Sequence, residues 1–413
     1  MGNVQKQEIN MYKIKLDKLN NIFFFIFANL LVTPFFFLIK FKGAVASIFI
    51  IFVSFFYATK TCKKISQIQI LFILFFFVVL GIPGIYFVNI NYYFMFNTYI
   101  ASLLFIMFFK MDNIDDFLEN QTNFFIILAI FSWIGFIYAF IGGKPLFKIP
   151  NPDGRLNSFY LSTFSNLQVG RFIRASGLYD EPGALSFFIC ITCLLRLYRN
   201  KNYKKTVFLM LLGMITLSVA HIIITSIVIA VCYMKYFKSK DKIIFFIICV
   251  ILFIFLNYFF YDALNTLVYS RFKFSKSSGK FAGDTRTVQI AQLLKQLDGE
   301  KFIFGVDLRI QRSSEISQFG IIGENPLSQL FFNGVFVSLE YYFIQFVFLL
   351  CFIFVKNKRW VFLSVLLLWM QRPYFNIIGY SIYLLLFFFL GLKELKKSKT
   401  FKYLVGNVQN DGK

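Results

Sequence analysis

Arg171 and Arg174 stand three residues apart, just ahead of the adjacent carboxylates Asp180 and Glu181 and a Pro-Gly pair. An arginine fork suits bidentate binding of phosphate. The first N–H groups of a helix opened by Pro182 could cradle the same anion. A carboxylate such as Glu181 could accept a proton from a hydroxyl. The two arginines share one face if that turn is helical. The same residues have a plain structural use. Asp180 or Glu181 caps the helix, and the arginines anchor it at an interface or pair with those carboxylates.

A second charged segment repeats the pattern further along. Asp284 precedes TRTVQIAQLLKQL, and the sequence predicts a helix there with Asp284 as its N-cap. Val288, Ala291, Leu294 and Leu297 fall on one face, so the helix is expected to be amphipathic and to pack on a membrane domain. Arg286 lies in its first turn, where a cation opposes the helix dipole at about 0.3–1 kcal/mol. Arg309 and Arg312 are again three apart, and Glu324-Asn325-Pro326 precedes LSQLFFNGVF, which reads as a short helix leading into an apolar span.

These segments interrupt a chain of 413 residues that is 58% hydrophobic and only 15% charged. A soluble chain of this size carries about 25% charged residues. Apolar runs long enough to cross a bilayer recur, so the expected class is an all-α, polytopic membrane helical bundle of about twelve transmembrane helices. The expected spans are 21–39, 44–59, 68–88, 92–109, 123–142, 184–198, 206–220, 222–238, 243–261, 334–355, 359–373 and 375–392. The pair 206–220 and 222–238 also fits one long broken helix. The organisation is then one integral membrane domain over 1–413, with outer loops at 143–183 and 262–333. The termini 1–20 and 393–413 are cytoplasmic. Of the 43 Lys and Arg, 26 fall inside under this topology and 17 outside, nine of those in the longer loop. The net charge of +23 follows from basic residues beside the spans, facing anionic lipid rather than nucleic acid. The first 20 residues are polar and basic, so no cleavable signal is expected.

Cys190 and Cys193 form a CxxC inside an apolar run with no second pair, so packing is the expected use rather than metal or redox chemistry. The single histidine, His221, falls at a helix junction. Glu340 lies in a span, where an ionisable side chain is a functional candidate, although Tyr341 and Tyr342 also fit an interfacial position. Arg372, between Gln371 and Pro373, sits at the outer end of a span.

RASGLYDEPGALSFF, GDTRTVQIAQLL and GENPLSQLFFNGVFVSLEYY together resemble the O-antigen polymerase (Wzy) family, whose neighbours are the O-antigen ligases. The resemblance implies an inner-membrane enzyme, a metal-independent glycosyltransferase without cofactor. It would polymerise oligosaccharide units carried on undecaprenyl pyrophosphate at the outer face, with inversion at the anomeric carbon. Arg174 and Arg286 match the arginines of the first two motifs and would hold the donor pyrophosphate. Glu324, or else Glu181, would activate the acceptor hydroxyl. Arg171, Arg309, Arg312, Arg372 and Asn325 would bind substrate. A chain-length regulator would be a partner. Where the ligases carry His-Asn, this chain has Glu324-Asn325, which argues against a ligase. A flippase for lipid-linked sugars would place charge inside the spans, which are nearly free of it.

Overall fold

The structure is a computed structural model. It describes residues 21–31, 33, 42–61, 67–108, 114–150, 155–236, 238, 243, 247, 251, 254, 258, 261, 265, 269–270, 273–275, 280–281, 285–307, 325–375 and 377–398. The chain divides into two compact units, Met1–Gln121 with Leu293–Lys413, and Thr122–Gln292.

The first unit opens with a π-helical turn, Ile26–Leu30, followed by α1 (Lys42–Thr61), α2 (Gln67–Tyr86) and α3 (Asn91–Phe108). α4 (Ile114–Phe140) starts here and runs on into the second unit. In the second unit, β1 (Phe147–Pro150), β2 (Leu156–Tyr160) and β3 (Thr163–Ser165) form an antiparallel sheet in sequence order. The hairpin β4 (Gln168–Val169) and β5 (Phe172–Ile173) follows. Then come α5 (Pro182–Tyr198), α6 (Tyr203–Leu212), a 3-10 turn Gly213–Thr216 and α7 (Val219–Tyr236). A short hairpin pairs β6 (Phe274–Ser275) with β7 (Lys280–Phe281). α8 (Thr285–Gln296) crosses back to the first unit, which ends with α9 (Gly299–Phe304), α10 (Ser328–Phe354), α11 (Arg359–Gln371) and α12 (Ile378–Lys397).

Among the described residues, four helices are long and apolar enough to cross a membrane: α4, α7, α10 and α12. The chain is therefore a multi-pass membrane protein, and the expectation of an all-α bundle with about twelve spans is corrected on two counts. The apolar runs are longer than the helices they form. The run at 206–220 becomes a helix of 10 residues, about 15 Å against a hydrocarbon core of about 30 Å. It ends because the chain turns through the 3-10 segment and Leu217 takes a left-handed backbone, φ 46°. α5 has 17 residues and α11 only 13. The expected span 243–261 lies largely outside the described residues. Residues 147–150 and 156–173, expected to be loop, carry five strands instead, with Phe147 packed on Phe159 and Phe159 on Phe164 across the paired strands.

In the second unit the sheet packs on α4. Gly135 makes this possible, since a methyl there would lie 2.6 Å from the Tyr160 carbonyl oxygen. Ser162 Oγ donates to the Phe131 carbonyl at 2.6 Å. Arg196 is fully buried, and its guanidinium donates to Thr206 Oγ1 at 3.0 Å, Thr122 Oγ1 at 2.9 Å and the Asn202 carbonyl at 3.3 Å. His221 joins α7 to its neighbours. A carbonyl only accepts, so Nε2 carries the proton donated to Met210 O at 2.9 Å. Nδ1 is left to accept from the Cys190 thiol at 3.3 Å. The four described cysteines are buried and free. Among the described residues no three His, Cys, Asp or Glu side chains converge as a metal site.

In the first unit α12 is the central helix, with every residue from Ile378 to Phe388 buried. Tyr383 hydroxyl accepts from Gln121 Nε2 and donates to Asn29 Oδ1 at 3.1 Å, a polar chain inside the packing. The segment from α9 to Asp307 docks on the turn between α2 and α3. Tyr86 stacks on Phe304, with ring centroids 3.7 Å apart, and donates to Glu300 at 2.7 Å. Tyr92 donates to the Val306 carbonyl at 3.0 Å. Asp298 caps α9 by accepting from Lys301 N at 2.8 Å. Hydrogen bonding from the Lys301 side chain holds its carboxyl below the usual range, so the cap is intact at neutral pH and lost only as pH falls through that lowered value.

Two glycines set the geometry of α10. Gly334, with φ 72° and ψ 174°, interrupts the helix, and Gly305, with φ 78°, ends the segment that crosses it. A methyl on Gly334 would run into the Ile303 carbonyl, and one on Gly305 into the Phe332 carbonyl. A side chain at such a φ costs about 1–2 kcal/mol and overpacking adds about 1–3 kcal/mol. Gly334→Ala should therefore lose roughly 3 kcal/mol, read as a lowered thermal midpoint in detergent. Gly299→Ala, with open space around the added methyl, should leave the midpoint unchanged.

Candidate functional site

The break at Gly334 divides α10 into a short stretch, 328–333, and a membrane helix, 335–354. Asn325 organises the entry. It is fully buried, its Oδ1 accepts from Leu327 N at 2.9 Å, and its carbonyl accepts from Ser328 Oγ at 2.8 Å. This is an Asx turn, in which the side chain replaces a backbone acceptor. On the next turn Gln329 Nε2 donates to the Pro373 carbonyl. Gln329 Oε1 accepts from Asn333 Nδ2 at 2.7 Å. Tyr342 hydroxyl closes over the entry by donating to Pro326 O at 2.7 Å.

The opposing wall is the segment that joins α11 to α12. Arg372 is buried as the C-cap of α11, and its guanidinium lies over the Tyr374 ring at 5.8 Å. Phe375 packs against Tyr99 with centroids 5.6 Å apart and against Tyr341 at 6.2 Å. Tyr341 hydroxyl donates to the Trp369 carbonyl at 2.6 Å. Into this aromatic setting α10 projects Glu340, five residues past Val335 and so about 7.5 Å along the membrane helix. Glu340 is 5% exposed. Its carboxyl is hydrogen-bonded to the Tyr99 hydroxyl. Its Oε2 has no hydrogen-bond partner among the described residues, and neither has Asn333 Oδ1. Asn333 Oδ1 is an acceptor, and so is the Glu340 oxygen when the carboxyl is ionised.

The residues expected to act on phosphate are distributed differently. Arg171 is exposed at the two-residue turn of the β4–β5 hairpin, beside Gly170, so it shares no helical face with Arg174. Arg174 is half-buried, and its Nε donates to the Thr216 carbonyl at 3.1 Å, tying the loop to the 3-10 turn. Pro182 takes the first helical position, as its ring predicts, and Glu181 is the N-cap in extended backbone without a side-chain cap bond. The Glu181 carboxyl pairs with Arg155 at 3.6 Å. Arg286 falls in the first turn of α8. Arg309, Arg312 and Glu324 lie outside the described residues. α8 itself buries Gln289 and Leu293 and exposes Leu294, so its inward face is turned from the expected one. Leu293 packs with Val306 and Phe331, and Leu297 lies against them.

Asn325 thus lies at the entry to α10 and Arg372 in the segment opposite, which Gln329 reaches at Pro373 and which meets Tyr99, the partner of Glu340, through Phe375; Tyr99, Gln329 and Asn333 are members that sequence reasoning missed. The amides had a signal, being polar and four apart within SQLFFNG. Tyr99 had none, because its role depends on the packing of α3 against another helix.

No family model, no curated protein and no solved structure matches the chain. With four helices among the described residues long and apolar enough to span, in place of about twelve, the resemblance to the O-antigen polymerases is not upheld. The reading as a polymerase of lipid-linked sugars, and the ligase and flippase alternatives attached to it, fall with it.

Gln329 satisfies two groups at once. Gln329→Ala should orphan the Asn333 amide and the Pro373 carbonyl, at about 1–3 kcal/mol each before relaxation. The expected outcome is a clear loss of thermal midpoint in detergent.

Proposed function

We propose that this protein binds a small monovalent cation, an alkali ion or a primary ammonium, at an intramembrane site centred on Glu340. The observation that carries the reading is the buried Oε2 of Glu340 without a hydrogen-bond partner among the described residues. A carboxyl inside a span is costly unless matched. Tyr99 supplies one donor, and a single positive charge would balance the rest. Tyr99 packs on Phe375, and Phe375 on Tyr341, so the setting of the carboxyl is aromatic. The reading requires no glycosyl transfer.

A bacterial inner-membrane location with cytoplasmic termini belongs to the same proposal. It is supported by the basic end of the first unit. Lys358 pairs with Glu394 at 3.2 Å, and Ser398 Oγ donates to Phe354 O at 3.0 Å, so the turn after α10 meets the end of α12. That end gathers Lys356, Lys358, Arg359, Lys393, Lys396 and Lys397, a bias that favours the cytoplasmic side. The broken end of α10 would then face outward.

The test is binding of sodium, rubidium and methylammonium to the purified protein by scintillation proximity. The wild type should bind one cation per chain. Glu340→Gln should weaken binding at least tenfold, and Glu394→Gln, at the other end of the unit, should not. Undiminished binding by Glu340→Gln would overturn the reading.

A further inference from the structure

α4 carries a stripe of exposed apolar side chains: Ile127, Ile130, Phe131, Ile134, Ile137 and Ile141. They recur at three or four residues and so share one face, while Leu128, Ser132 and Ala139 on the opposite side are buried. On a helix long and apolar enough to span, such a face meets acyl chains. The stripe runs past the point where the sheet meets the helix. Ser162 Oγ reaches the Phe131 carbonyl at 2.6 Å, and Tyr160 O and Thr163 Cγ2 lie over Gly135. Ile137 and Ile141 lie beyond Phe131, about 9 and 15 Å further along the axis. The loop of the β2–β3 hairpin is therefore level with the lipid-facing part of α4.

That loop has two residues, Leu161 and Ser162, between the paired Tyr160 and Thr163. Leu161 has φ 54° and is 49% exposed. Hairpin loops of this length place Gly, Asn or Asp where φ is positive. A leucine there is strained, and in water its exposure brings no gain. Leu146 and Phe147, at the same end of the sheet, are exposed too. Non-helical backbone survives at membrane depth only where its polar groups are matched. β3 meets this condition on both edges, pairing with β2 on one side and with Ser176 and Gly177 on the other. The charge nearby is one-sided. Residues 141–173 hold Lys144, Lys148, Arg155 and Arg171 against the single acid Asp153. Two of these cations are exposed close to the end of α4. Tyr138 donates to the Lys144 carbonyl at 3.2 Å, and Phe172, next to Arg171, packs on Phe140 with centroids 5.2 Å apart.

We infer that the β2–β3 loop is immersed in the lipid leaflet beside the C-terminal half of α4, with anionic phospholipid headgroups held at its border by Lys144 and Arg171. The exposed leucine continues the lipid-facing stripe, so acyl chains cover both at once. The cations at the end of the helix match the negative surface of such a leaflet. The sheet thereby becomes an anchor for the second unit in the membrane. The inference does not rest on the Glu340 site, which belongs to the first unit.

The experiment uses the full chain in proteoliposomes of phosphatidylcholine and phosphatidylglycerol. Leu161→Cys carries a fluorophore, and wild type treated in the same way is the blank. Nitroxide on the lipid acyl chains should quench the label, and iodide in the water should not. A label at Arg171→Cys should be open to iodide. Nitroxide phosphatidylglycerol should quench the Leu161→Cys label at least twofold more than nitroxide phosphatidylcholine, an excess that Lys144→Gln with Arg171→Gln removes. Quenching of the Leu161→Cys label by iodide alone would put the loop in water and overturn the inference. Protection from both quenchers would mean that protein covers the loop, with the same consequence. Equal quenching by the two lipids would sink the assignment of anionic headgroups. Leu161→Gly suits the backbone and should leave the thermal midpoint in detergent unchanged or raised. A clear fall would show that Leu161 serves packing within the protein, which also defeats the inference.

Discussion

The crossing of two backbones at Gly305 and Gly334 is the contact on which the first unit depends. Neither segment tolerates a Cβ there, and both glycines use a φ that other residues avoid. The crossing ends the short stretch 328–333 and restarts α10 as a membrane helix. Val306 N donates to the Phe332 carbonyl at 3.3 Å, so the crossing strand takes up an acceptor that the interrupted helix leaves over. On one side of the break the amides of Gln329 and Asn333 are aimed at the 372–375 segment. On the other side the phase of the new helix directs Glu340 to Tyr99. A continuous helix would have rotated the two groups differently with respect to each other.

Some of this was legible in the sequence. High apolar content with few charges required a membrane protein, and Pro182 after Glu181 marked a helix start, because a missing N–H is harmless there. TRTVQIAQLLKQ read as a helix, and NGVF correctly separated a short helix from a span. What remained hidden was tertiary. Hydropathy measures how long a run is apolar, while a span requires that the run stay helical, and Leu217 shows the difference. The spacing of Arg171 and Arg174 fits a helical face and a hairpin equally well. The face of α8 was misjudged because Val288, Ala291 and Leu294 satisfy the period. Leu293 and Leu297 satisfy it too, and only the cluster with Val306 and Phe331 decides between them.

Three buried or half-buried ionisable groups show how partners separate support from binding. Arg196 has no exposure, yet each guanidinium direction ends on an oxygen of Thr122, Thr206 or Asn202. It closes α5 on its surroundings and has little capacity left for anything else. Arg174, the residue most suited by sequence to hold a phosphate, spends one donor on the Thr216 carbonyl and so fixes a loop to a turn. Glu340 differs in kind. Half of its carboxyl is matched by Tyr99, the other oxygen is buried, and its setting is aromatic rather than polar. A purely structural carboxyl would be replaced at little cost by an amide or an apolar residue, either of which suits a membrane helix better. The cost of this group is consistent with a role that only a carboxyl fills, which is to meet a positive charge inside the bilayer.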